Sequence, residues 1–234
     1  MLRDFQIYSD SLNELKSDRI LINTINAHSF NITNSDEIFK EALTKSDVLI
    51  PDGVSIVWAM RFLTGKKIKK IAGADLFFFE MKRIQEKGGK VFFLGSTDDT
   101  LDKIVKRAQN EFSEVEIETY SPPYKPEFSE EDSQKMIQKV NAFKPDVLFV
   151  GMTAPKQEKW AYLNFSQLEV GHVCSIGAVF DFYAGTIKRA PQWIIKMGLE
   201  WLYRLLKEPK RMWKRYLVGN TLFIWAILRE KLSH

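Results

Sequence analysis

Short apolar runs alternate with longer amphipathic stretches over residues 1–186, a pattern that predicts strand-helix-strand units around a parallel sheet. Runs rich in Val, Ile, Leu and Phe predict strands at residues 19–23, 47–50, 90–95, 115–120, 145–151 and 172–177. Helical periodicity falls between them, at residues 35–45, 53–63, 74–87, 97–112, 129–143 and 155–168. Together they describe one doubly wound, Rossmann-like α/β unit over 1–186. After Gly185 the pattern turns to helix without strands. Pro191 suits a first helical turn, residues 192–207 read as helical until Glu208-Pro209 ends the stretch, and the whole appendage is expected to hold two or three helices. A second helical stretch starts at Pro209 and runs through the apolar residues 217–228.

Charge divides the chain at the same place. Residues 187–234 hold eleven Lys/Arg against three Asp/Glu and four of the six tryptophans, whereas 1–186 holds 23 Lys/Arg against 27 Asp/Glu. A mildly acidic body thus carries a basic, aromatic-rich helical appendage suited to an anionic membrane surface. Because all six predicted strands lie upstream, the body is expected to fold without that appendage. The apolar stretch 217–228 is too short to span a bilayer, which needs roughly 20 apolar residues, so the chain is expected to lie on a membrane. The N-terminus has no secretory pattern, and the single cysteine, Cys174, sits in an apolar run as a buried thiol, consistent with a reducing cytoplasm.

In an open parallel sheet, ligands bind beyond the carboxyl ends of the strands, so the polar residues there are the candidates. They are Thr24 and Asn26, Asp52, Gly95 with Ser96, Tyr124, Gln157 and Asp181. A carboxylate on such a cleft floor can take a proton from an attacking hydroxyl, the role read for Asp52; the alternative is a cap on the helix that starts at Gly53. Gln157 lies in the first turn of a helix opened by Pro155, where backbone N–H groups favour a phosphate or sugar oxygen. Its neighbours Lys156 and Glu158 read as first-turn surface residues. Gly95-Ser96 is a turn able to approach a diphosphate, although Thr97 or Asp98 there could be a plain N-cap. Tyr124 either stacks on a base or packs on the body, and Asp181, an acid in an apolar setting, calls for a partner.

The three histidines, one cysteine and absence of any Asp-x-Asp pair leave no metal-ligand spacing, so diphosphate chemistry here would use protein cations. No cofactor is expected: neither a Walker loop nor a G-x-G-x-x-G follows a strand. Arg204, Arg211, Lys214 and Arg215 recur at steps that let several share a helical face, flanked by Trp201, Tyr203, Trp213 and Tyr216.

Several segments in order, namely Thr24-Ile25-Asn26-Ala27, Pro51-Asp52-Gly53, Ala72-Gly73-Ala74-Asp75-Leu76, Gly151 to Glu158, and Gly177 to Pro191, resemble the WecG/TagA/CpsF glycosyltransferase family. Gly198 to Leu205 with Glu208, Pro209 and Arg211 extend the resemblance, which covers about residues 15 to 220. It implies transfer of an N-acetylhexosamine or related sugar from a UDP donor to a polyprenyl-diphosphate-linked sugar, inverting and metal-independent, in polysaccharide or teichoic acid synthesis. By the same resemblance Asp52 is the general base, with Thr24, Asn26 and Gln157 around the sugars. Tyr124 and Asp181 hold the uridine, and Arg204 and Arg211 neutralise diphosphate beneath an appendage folded over the cleft. Lys70 and Arg189, in or beside the matching motifs, add positive charge. Two departures stand out: Lys70 occupies a position where members often carry Arg, and His28 stands in the first motif as either a sugar contact or a structural residue.

A competing reading is a nucleotide-binding regulatory module docked on membrane through its basic helices. Base-reading motifs are missing, so nucleic acid is not an expected partner. A homo-oligomer is compatible with the sequence.

Overall fold

The computed structural model describes residues 1–15 and 19–233; residues 16–18 and His234, the last position of the predicted appendage, lie outside the described residues. Strands β1 (Ile20–Ile25), β2 (Val48–Pro51), β3 (Lys90–Gly95), β4 (Glu116–Tyr120), β5 (Val147–Gly151) and β6 (His172–Ser175) form one parallel sheet. Their order is β2-β1-β6-β5-β3-β4. Each predicted strand is present, with ends within two residues of the expectation. The inner strands are buried along nearly their whole length, which is why they read as continuous apolar runs. The half-exposed edge strand β4 carries Glu116, paired with Lys90 at 3.3 Å. The opposite edge, β2, is covered by the N-terminal segment, where the Tyr8 N–H donates to the Leu49 carbonyl at 2.9 Å.

Helices α1 (Ala27–Ile32), α2 (Glu37–Thr44), α3 (Val54–Thr64), α4 (Gly73–Lys87), α5 (Asp98–Glu111), α6 (Glu130–Phe143), α7 (Lys156–Asn164) and α8 (Val179–Ala184) surround the sheet. The six predicted helices correspond to α2 through α7. Helices α1 and α8, six residues each, are too short to display a period and were not expected. One face of the sheet packs α4, α5 and α8, with Phe77, Ile104 and Phe180 against Ile22, Phe93 and Phe149. On the other face α6 and α7 bring Met136, Val140 and Trp160 to Phe92, Leu148 and Val173. A third core, beside Ile25 and Leu49, is built by α1, α2, α3 and the N-terminal Leu2 and Phe5.

The C-terminal helices are α9 (Gln192–Lys196), α10 (Glu200–Lys207), α11 (Pro209–Trp213) and α12 (Gly219–Leu232), the last two joined by a π-helical turn at Lys214–Val218. The helical stretch expected over 192–207 is therefore broken, and the described appendage holds four helices where two or three were expected. Gly198 takes φ 74 between its halves, and a Cβ there would come within 2.8 Å of Val54 Cγ1, so the break lets the chain turn close against α3. Helix α12 packs on the α/β body. Its Phe223 and Ile227 are buried in the third core, with the Phe223 ring edge-on to Phe30 at 5.4 Å. Glu230 is buried too and accepts from the Leu2 and Arg3 N–H groups at 2.7 and 3.0 Å, while Asn31 donates to the Gly219 carbonyl. Body and appendage thus share a core. Among the described residues no helix is long and apolar enough to cross a membrane.

Candidate active site

The sheet order sends β3 outward to β4 and β5 the other way to β6, so the chain leaves the paired carboxyl ends of β3 and β5 in opposite directions, the kind of switch point where open α/β sheets hold ligands. Gly95 and Gly151 stand opposite each other at that point. A Cβ on Gly95 would come within 2.6 Å of the Gly151 carbonyl oxygen, so only glycine admits this approach at φ 123.

Asp52 follows β2, and its N–H donates to the Ile25 carbonyl at the end of β1 at 2.9 Å. The capping alternative is not realised: α3 has Gly53 at its N-cap and no side-chain cap. The carboxylate is thus left for other work. Burial pushes its pKa up, Glu200 of α10 pushes it further, and Lys70, Arg215 and Arg189 pull it back. Asn26, by contrast, is a cap: its Oδ1 accepts from the His28 and Ser29 N–H groups at 3.0 and 3.1 Å, fixing α1 beside Gly53. Thr24 is buried on β1 opposite Ile50. His28, between Asn26 and the appendage, has its pKa lowered to about 4 by burial first and by Arg215 second, so it is neutral at neutral pH.

A second cluster surrounds Asp181 on α8. Thr186 Oγ1 hydrogen-bonds its Oδ1 at 3.4 Å, the partner expected for an acid in that setting. Burial raises the Asp181 pKa, and the Thr186 bond, Arg211 and Arg204 lower it. Phe182 joins the two clusters, with the Arg189 and Arg204 guanidinium groups 5.9 and 5.5 Å from its ring. Arg189 also faces Glu200 at 3.4 Å, and Arg211 pairs with Glu208 at 2.9 Å. Asp52 thus feels the charges of Lys70 and Arg189, and Asp181 those of Arg204 and Arg211.

Gln157 is buried, its Oε1 accepting from the Met152 N–H at 3.1 Å and its Nε2 donating to Glu158 at 2.8 Å. The amide lies against Gly177. Glu158 contradicts its surface reading: it is 1 % exposed, and its second oxygen is buried without a hydrogen-bond partner. Burial outweighs the Gln157 bond and Arg215, and its pKa rises to about 7. The buried stripe of α7 runs through Gln157, Glu158, Ala161 and Asn164, and because it is polar it resembled a wet face in the sequence. Arg215 was likewise underrated. It acts on Asp52, Glu158 and His28 alike, and its four-residue step from Arg211 was the available signal. Tyr124 stands apart, its ring fully exposed in the loop before α6.

An open parallel sheet with ionisable side chains gathered at its carboxyl edge defines a doubly wound α/β protein, the class in which ligands bind at that edge. The chain belongs to the glycosyl transferase WecG/TagA/CpsF family, whose model matches residues 5–234, and is accordingly a glycosyltransferase. It is 34 % identical over 220 residues to the N-acetylglucosaminyldiphosphoundecaprenol N-acetyl-beta-D-mannosaminyltransferase of Bacillus spizizenii strain W23, covering 88 % of this chain and 81 % of the relative. Proteins of the same name from Bacillus subtilis strain 168 and Staphylococcus aureus strain MW2 are 30 % and 26 % identical, over 90 % and 92 % of this chain and 80 % and 82 % of theirs.

Proposed function

We propose that this chain moves an N-acetylhexosamine, N-acetylmannosamine by likeness to the named relatives, from a UDP donor to a polyprenyl-diphosphate-linked N-acetylglucosamine at the membrane surface. The observation that carries the proposal is Asp52, an uncapped and partly buried carboxylate at the end of β2, ringed by Lys70, Arg189 and Arg215. The acceptor hydroxyl attacks the anomeric carbon as Asp52 takes its proton, and the bond to the UDP oxygen breaks with inversion. Charge left on the diphosphate meets Arg204 and Arg211, so the step is metal-independent. Gln157, held by Met152 and Glu158, orients a sugar, with Thr24 and Asn26 lining the same floor. Asp181 takes the uridine side, with Tyr124 swinging in from its exposed loop and Gly95 admitting the phosphates. Residues 187–234 hold the site against the lipid.

The test supplies a panel of UDP-sugars and a short-chain prenyl-diphosphate N-acetylglucosamine, with and without excess EDTA, and reads product mass and UDP release. Transfer is expected from UDP-N-acetylmannosamine in both conditions. Complete inhibition by EDTA that Mn or Mg reverses would overturn the metal-independent step, and UDP binding without turnover would favour the regulatory reading.

A further inference from the structure

Helix α3 belongs to the α/β body, yet its outward side is apolar. Val54, Trp58 and Phe62 recur at four-residue steps and form one exposed stripe, with Trp58 46 % and Phe62 37 % exposed. The two rings are stacked, 5.4 Å apart and within 6° of parallel. At the far end of the helix Lys231 of α12 stands 5.7 Å from the Phe62 ring, so the carboxyl ends of α3 and α12 lie side by side. The exposed Leu228 and Leu232 of α12 belong to that end.

The charge along α3 and the segment after it has one sign. Residues 54–74 contain five Lys/Arg and no Asp or Glu, and Arg61, Lys66, Lys67 and Lys69 of that set are exposed. Arg229 and Lys231 add to it from α12. Stacked aromatics and leucines bordered by cations suit the boundary between acyl chains and anionic headgroups. A second copy of this chain fits poorly, because a two-fold contact would set cation against cation.

We propose that α3 and the lysine segment after it form a membrane-contacting face built into the α/β body, lying on an anionic bilayer beside the outward side of α12. Helix α3 starts two residues after Asp52, so the face runs outward from the edge of the site. A lipid-linked acceptor would be met in the same layer as its tail. That last clause rests on the transferase reading; vesicle binding does not.

The test uses the full chain and vesicles of phosphatidylglycerol with phosphatidylcholine, against phosphatidylcholine alone. Charge reversal at Lys66, Lys67 and Lys69 together is expected to lower partitioning onto anionic vesicles by about a hundred-fold, given the usual contribution of each basic residue near such a surface. Trp58→Ser with Phe62→Ser should lower it by about ten-fold or more. The control, Lys135→Glu with Lys139→Glu on the exposed side of α6, should leave it unchanged. Circular dichroism and UDP release with a soluble acceptor analogue should match the parent in every variant. Failure of UDP release in the parent would speak against the transferase reading alone, because partitioning is scored separately. Since Cys174 is buried, Arg61→Cys takes a polarity-sensitive dye selectively, and its emission should shift blue on anionic vesicles. Unchanged partitioning in both α3-face variants, an unshifted dye, or losses that track a monomer to dimer change in light scattering would overturn the proposal.

Discussion

The two ends of the parallel sheet treat charge in opposite ways. At the amino end, carboxylates are tied into the structure: buried Glu80 meets His172 at 2.8 Å and takes two bonds from Arg83 at 2.8 and 2.6 Å. Asp146 accepts the Lys90 N–H that opens β3, and Asp47 accepts the Leu21 N–H of β1. At the carboxyl end, Glu158 Oε2, Arg204 Nε and Arg215 Nε are buried without hydrogen-bond partners, and Asp52 caps nothing. An unsatisfied buried polar group costs roughly 1–3 kcal/mol, so such groups persist where something other than stability maintains them. The amino end holds the fold, and the carboxyl end is poised to hold a ligand.

The sharpest way to break this contrast is Asp52→Asn. The amide keeps the shape and removes proton acceptance, so turnover should fall on the order of 100- to 10,000-fold with UDP affinity and stability nearly unchanged. A variant that keeps more than about a tenth of parent turnover would remove Asp52 from the base role. Glu80→Ala is the mirror experiment. It removes the buried carboxylate that His172 and the part-exposed Arg83 share, so denaturation should show a loss of roughly 1–3 kcal/mol while activity per folded molecule stays at the parent level. A catalytic defect larger than the folded fraction explains would mean that the two ends are coupled.

Within the carboxyl end, the cations should differ by position. Arg204→Glu and Arg211→Glu, each beside Asp181, should each lower turnover about 100- to 1000-fold, whereas Lys231→Glu should leave turnover with a soluble acceptor analogue unchanged. Equal losses at all three positions would point to net charge and not to place.

The same contrast explains what could be read from the sequence. Strands such as Val91-Phe92-Phe93-Leu94 are buried on both faces and announce themselves as apolar runs. Strand ends and motif order single out Asp52, Lys70, Arg189, Asp181, Arg204 and Arg211 as candidates, and the fold brings their charges to bear on one another. Glu158 was not legible, since its burial comes from α7 lying against neighbouring helices and strands, which one-dimensional periodicity does not contain. Helix α12 was half legible. Its apolar side chains were evident, but that Phe223 and Ile227 face Leu2, Phe5 and Phe30, far away in sequence, depends on the tertiary fold.

The smallest expected effect is the one that sharpens the comparison most, because it titrates. Glu158 has its pKa raised from 4.5 to about 7, burial prevailing over the Gln157 bond and Arg215. Between those values the unfolded chain has released the proton while the folded chain keeps it, so folding stability is greatest below the unfolded value and falls as pH rises through the window. The slope is about 1.4 kcal/mol per pH unit and levels off above the folded pKa. Glu158→Gln keeps an oxygen for the Gln157 amide but carries no titrating proton. The stability of the parent relative to this variant should therefore drop by about 2 kcal/mol between roughly pH 5 and 6.5, read from urea midpoints at each pH. Other groups titrate alike in both proteins and cancel. Parallel curves would mean that the Glu158 carboxyl is no harder to ionise in the fold than in the unfolded chain, and the carboxyl end would lose its claim to an unpaired buried acid.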